Sequence, residues 1–195
     1  LASAAVISFD DLSDGDVIST QYADVTFTNA IALSAGMSLD ESEFPPRSGT
    51  TVAGSVGGSM RIDFSRPMDG VRGYFTHDVR LTMSGFRADG ASLGSTTTLS
   101  SSNLAISGDP GSTPNEFMLV PLGRLVSYIV ITGDPSGGTF TLDDLTFAPS
   151  RGVPEPATLS LFVLGGIGLA GVRRATSFRR RRMMGEANRK SWTTR

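Results

Sequence analysis

The sequence predicts an all-β fold, a two-sheet antiparallel sandwich of jelly-roll type, followed by one short C-terminal hydrophobic helix and a disordered basic tail. Three observations carry this reading. Short apolar alternations of period two recur through the body of the chain, with no helical period. Clusters of Gly, Pro, Ser and Asp separate them, as turns require. Near the C-terminus the pattern changes once, into an uninterrupted run of uncharged residues.

Residues 6–9 read as the opening strand, Val25, Thr26 and Phe27 as the next, and residues 31–39 as a looser third. Met60, Ile62 and Phe64 alternate with Arg61, Asp63 and Ser65, so one face of that strand is buried and the other wet. Val71, Gly73 and Phe75 follow in the same way. Leu81 and Met83 share a face, but Phe86 falls out of phase beside Gly85, which predicts a β-bulge. Asp89-Gly90 is a strong hairpin signal. Strands are expected over residues 92–99, 117–120, 126–131 and 139–147, with GDPGSTPN and GDPSGG as turns. About ten short strands fit two packed antiparallel sheets.

At 195 residues the chain can hold one domain of ordinary size with appendages. The absence of cysteine excludes disulfides, thiolate metal ligands and a cysteine nucleophile. Residues 1–152 carry 17 acidic side chains against 8 arginines, a balance of −9. From Arg173 onward 9 basic residues face one acid, Glu186, a balance of +8. An acidic body repels nucleic acid, and none is expected as a partner. Phosphate loops and zinc-ligand spacings are absent. The one histidine, His77, reads as a loop residue beside Asp78 rather than a member of a triad. Carboxylates such as Asp10, Asp11, Glu41 and Glu43 could pair with others across the fold, which leaves a secreted glycan-active enzyme as an alternative.

Two further carboxylate pairs sit at the ends of the body, in ISFDDLSDGD and in FTLDDLTF. In the second, Phe140 and Leu142 share one face while Leu145 and Phe147 have the opposite phase. Asp143 and Asp144 therefore sit where the strand shifts register, and a bulge there aims oxygens to one side, as a hard cation needs.

The stretch VPEPATLSLFVLGGIGLAGVRR departs from the alternating pattern of the body. Its uncharged part, residues 157–172, would rise about 24 Å as a helix against a hydrocarbon core of about 30 Å. It can insert in a bilayer but makes a marginal permanent anchor. Arg173 and Arg174 set the topology, with the body outside and residues 175–195 as a cytoplasmic tail. Pro154 and Pro156 stop the helix and keep its entrance extended. Glu155 offers one charged recognition point between them.

The order Val153, Pro154, Glu155, Pro156, Ala157, then a glycine-bearing hydrophobic run, then Arg173 and Arg174, resembles the PEP-CTERM sorting signal of bacterial surface proteins. The resemblance covers residues 153–174; the tail beyond is longer than in typical members. It implies an exosortase as partner, a membrane enzyme that recognises the Pro-Glu-Pro region and releases the protein outward. It also implies transient insertion in the inner membrane, then the cell surface or extracellular matrix of a Gram-negative bacterium that makes exopolysaccharide. The segments DVTFTNA and FRADGASLG, with the two aspartate-bearing ones, are similar to sandwich domains of such proteins and, more loosely, to jelly-roll carbohydrate-binding modules. That likeness implies a structural calcium on Asp10, Asp11, Asp143 and Asp144, and a glycan such as exopolysaccharide as ligand. Aromatic platforms for sugar are not evident: residues 1–152 have no tryptophan, and Tyr22, Tyr74 and Tyr128 lie in strand-like runs.

Ala2-Ser3-Ala4 is a small-x-small triplet of the kind signal peptidase cuts behind. The expected organisation is thus a signal-peptide remnant (1–4), a sandwich (5–148), a linker (149–152), a sorting signal (153–174) and a basic tail (175–195). The expected function is a non-enzymatic exported surface or matrix protein, with a glycan-active enzyme or a permanently anchored envelope protein as alternatives.

Overall fold

The computed structural model describes residues 4–149, with no side chain described for residues 121–124. Residues 1–3 of the expected signal remnant lie outside the described residues. So do residues 150–152 of the linker, the motif Val153 to Ala157, the expected helix, Arg173, Arg174 and the tail.

Ten strands form an all-β antiparallel fold, with no helix among the described residues. They are β1 (Ala5–Ile7), β2 (Val17–Ile18), β3 (Val25–Thr28), β4 (Ala30–Ser34), β5 (Thr51–Val56), β6 (Met60–His77), β7 (Thr82–Phe86), β8 (Ser92–Thr97), β9 (Glu116–Thr132) and β10 (Gly137–Pro149). Their order is β2-β4-β5-β10-β6-β9-β7-β8, with β1 added to β10 and β3 added to β6.

One continuous ladder makes two layers because β6 and β9 are long enough to serve both. The first part of β6 pairs with β3 and the end of β9, through Val25↔Phe64 and Ile62↔Ile129. Its later part pairs with β10 and the start of β9, through Phe75↔Leu142 and Tyr74↔Phe117. Register shifts fall between Asp63 and Met68 and between Asp69 and Val71. Pro67, which has no N–H to pair, sits in the first gap, and Gly70 (φ 97) sits in the second. The strand turns a corner there and passes from one layer to the other.

The layers meet over an apolar core that runs from Ile7 to Phe147. Phe64 and Phe147 approach to 5.3 Å between ring centroids, and Phe9 meets both Tyr22 and Phe27 edge-on at 5.9 Å. Val120 packs so closely on β7 that a Cβ at Gly85 would lie 2.7 Å from its Cγ1.

The expected bulge is present between Gly85 and Phe86, and the hairpin turns at Gly90 (φ 84). The second expected register shift occurs between Asp143 and Thr146, with Asp144 at φ 48. Other expectations need correction. The runs 60–65 and 71–75 are one strand, as are 117–120 and 126–131. β2 and β5 were not anticipated; Thr51 to Ser55 are buried at every position, so β5 shows no alternation.

Candidate functional site

The outer face of β10, β6 and β9, with β1 at its edge, is where the chemistry gathers. Register sets two cross-strand rows of side chains there. Val6 faces Thr146, Thr146 faces Arg72, and Arg72 faces Leu119. In the next row Asp143 faces Tyr74 and Tyr74 faces Phe117. Alternation sends Val71, Gly73 and Phe75 inward and leaves Arg72 and Tyr74 on the outside.

The bulge in β10 captures a distant loop. Asp143 is only 2% exposed, and its Oδ2 accepts the backbone N–H groups of Arg47 and Ser48, each at 2.9 Å. Its Oδ1 accepts the Asp144 N–H at 2.7 Å. Burial pushes this carboxyl up to about 6, against the opposite pull of the amides. Asp144 accepts the Ser48 hydroxyl at 2.9 Å and lies 3.3 Å from Arg47 Nε. At the far end of the same loop, Asp10 Oδ1 accepts the N–H groups of Thr50 and Thr51 at 2.7 and 3.1 Å. A side chain at Gly49 (φ 54) would run into that carboxylate. Asp11 accepts the Tyr22 hydroxyl at 2.6 Å, and burial together with Asp11 raises the pKa of that phenol.

Asp10 therefore meets this loop at one end and Asp143 with Asp144 at the other, while Asp11 bonds Tyr22, and protein donors occupy an oxygen on each of the four. Among the described residues no group of three or more His, Asp or Glu side chains comes together as a cation site. Calcium takes six to eight oxygens. This donor set does not fit a resident calcium ion.

Once anchored, residue 47 lays its guanidinium over the Tyr74 ring, 3.5 Å from the centroid. Tyr74 in turn lies 5.4 Å from the ring of Phe117, a residue that is 47% exposed. Val6, Arg47, Arg72, Tyr74, Phe117, Asp144 and Thr146 line a shallow open cleft of about 570 Å³. Sequence reasoning singled out Asp144 as a metal ligand, not as part of a cleft, and missed Arg47, Arg72 and Phe117. The alternation around Arg72 and Tyr74 was a usable signal, whereas nothing local to Arg47 points at Tyr74.

A second aromatic cluster lies on the other layer. Arg61 bridges Asp63 at 2.5 Å and sits 3.7 Å over Tyr128, which stacks on Phe86 at 4.8 Å. Its charged groups satisfy each other.

His77 is not a loop residue. It ends β6, fully buried, with Nε2 3.5 Å from Glu116 Oε2 and neither ring nitrogen in a hydrogen bond. Burial lowers its pKa, with Glu116 opposing. The His77 backbone N–H donates to Asn103 Oδ1 at 2.6 Å, and Asn103 Nδ2 donates to Phe75 O at 2.9 Å. This asparagine ties the 98–115 connection to the strand and explains why a polar group is buried there.

No protein-family model matches the chain, and no curated protein sequence does. Among solved structures, the chain is similar to the K2 cleaved adhesin domain of Lys-gingipain, at 12% identity and TM-score 0.47, covering 74% of this chain and 99% of that one. It is also similar to a DUF4465 family protein from Bacteroides caccae, at 10% identity and TM-score 0.48, covering 76% and 100%. A third similarity is to the K1 cleaved adhesin domain of Lys-gingipain from Porphyromonas gingivalis, at 9% identity and TM-score 0.43, covering 76% and 99%. Likeness at this level carries no ligand or activity to this chain.

Proposed function

We propose that the chain is an exported protein of the cell surface or extracellular matrix, sorted through residues 153–174 by an exosortase, with the sandwich as a non-enzymatic, glycan-binding module. One observation supports the division of labour best. The first strand pairs with the last through Ala5↔Phe147, and β10 ends at Pro149, before the sorting sequence begins at Val153. Within the described residues the first and last strands of the domain are thus joined before the sorting sequence begins. A hydrophobic run behind such a domain acts as a handle for transport and release.

The site chemistry supports a binding role. The cleft lining contains one carboxylate, Asp144, whereas glycoside hydrolysis uses two. His77 is buried beyond the reach of a substrate.

The sequence provides its own reporter of processing. Trp192 is the single tryptophan and Lys190 the single lysine. Protein recovered from the host surface is expected to show tyrosine-only fluorescence and a mass that ends near residues 154–157. Surface protein that retains Trp192 would mean a plain anchor and end the exosortase reading.

A further inference from the structure

We propose that the cleft over Tyr74 and Phe117 binds an acidic sugar, a uronic acid unit within a polysaccharide, with Arg72 taking the carboxylate and Phe117 the ring face. The proposal rests on the reading of the sandwich as a binding module and names its site and ligand class.

The cleft's two arginines differ. Arg47 is committed, held by Asp144 on one side and the Tyr74 ring on the other. Arg72 is exposed and makes no ion pair among the described residues. A guanidinium of this kind presents a planar fork that matches a carboxylate. It is diagonal to Phe117, since Arg72 faces Leu119 and Tyr74 faces Phe117 on the adjacent strand. Diagonal neighbours of this type lie roughly 7–8 Å apart, a spacing that one pyranose ring and its carboxylate can bridge. Asp144 and the Thr146 hydroxyl add acceptors at the rim for sugar hydroxyls.

The position of the cleft argues against a peptide. An extended peptide binds by adding to a free strand edge. Here β1 is a three-residue edge strand with β10 as its one partner among the described residues, and the ligand would lie across the faces of β10, β6 and β9, where the ladder pairs the backbone groups. Recognition over these faces comes from side chains, which suits a sugar. The acidic balance of residues 1–152 does not forbid an anionic ligand, because distant charges are screened beyond about 8 Å at physiological salt.

The test is calorimetric titration of the full chain, in mild detergent, with oligogalacturonate, a neutral galacto-oligosaccharide and polyglutamate. Oligogalacturonate is expected to bind at least tenfold more tightly than either other probe. Arg72→Ala and Phe117→Ala, both at exposed positions, are each expected to weaken it at least tenfold with an unchanged circular dichroism spectrum. On the unsubstituted protein, ring resonances of Tyr74 and Phe117 are expected to shift on binding while those of Tyr128 and Phe86 stay. Absence of binding, resonance shifts confined to other residues, or equal affinity for polyglutamate would overturn the proposal. Cleavage of the oligomer in place of its intact recovery would support the site and refute the non-enzymatic reading instead. Retention of Trp192 bears on sorting alone.

Discussion

Asp10 and Asp143 stand on the first and last segments of the domain, and both accept amide protons from the same stretch, residues 47–51. That shared loop carries Arg47 to the Tyr74 ring. The cleft is therefore built on a clamp between the two ends of the domain.

The clamp predicts a coupled pair of substitutions. Asp10→Ala removes the acceptor for two amides and is expected to cost about 1–2 kcal/mol. Gly49→Ala places a side chain against the same carboxylate in a left-handed conformation and is expected to cost about 1–2 kcal/mol. Because each change disrupts the same contact, the double variant should lose less than the sum. Urea unfolding of the four proteins measures this; strict additivity would show that the Asp10 contact is not what Gly49 protects.

Calcium removal is expected to do nothing. A resident ion at 100-fold excess over its dissociation constant would add about 2.7 kcal/mol, visible as a shift of several degrees in the melting temperature. Melting curves with chelator and with added calcium should coincide. A higher melting temperature with calcium would return Asp10, Asp11, Asp143 and Asp144 to the role of ligands.

Acid titration should reveal two opposed groups. His77 has a folded pKa below its ordinary 6.5, so the unfolded chain takes up the proton first and stability falls as pH drops through 6.5. Asp143 has a folded pKa of about 6, above its ordinary 3.8. Its contribution is fully present below 3.8 and is lost as pH rises through about 6. His77→Gln should therefore gain stability, relative to wild type, as pH falls from 7 toward 4. Asp143→Asn should lose it more steeply than wild type over the same range. Urea midpoints across that window decide the matter; parallel profiles for all three proteins would contradict both assignments.

The contact between the layers yields a fourth prediction. Gly85→Ala drives a methyl into Val120 and is expected to cost about 1–3 kcal/mol. Val120→Ala opens space and is expected to cost about 2 kcal/mol. The double variant refills part of that space, so its loss should be smaller than the two combined. Thermal or urea unfolding measures the coupling, and simple additivity would place the two residues out of contact.

Local pattern was legible where one face of a strand is wet. Met60, Ile62 and Phe64 alternate with polar neighbours, and all three are buried. The phase break around Asp143 and Asp144 marked a real register shift, because a strand cannot change its inward face without one. Where burial is two-sided, as along β5, small residues leave no period to read. Tertiary structure alone joined the runs on either side of Pro67 into β6, since polar residues there cover an exposed corner instead of ending a strand. It alone decided that Asp10, Asp143 and Asp144 hold a loop while Asp11 holds Tyr22. A carboxylate's partner is whatever donor the fold brings within about 3 Å, and the amides of Arg47 and Ser48 reach Asp143 only through a chain reversal that no local spacing encodes.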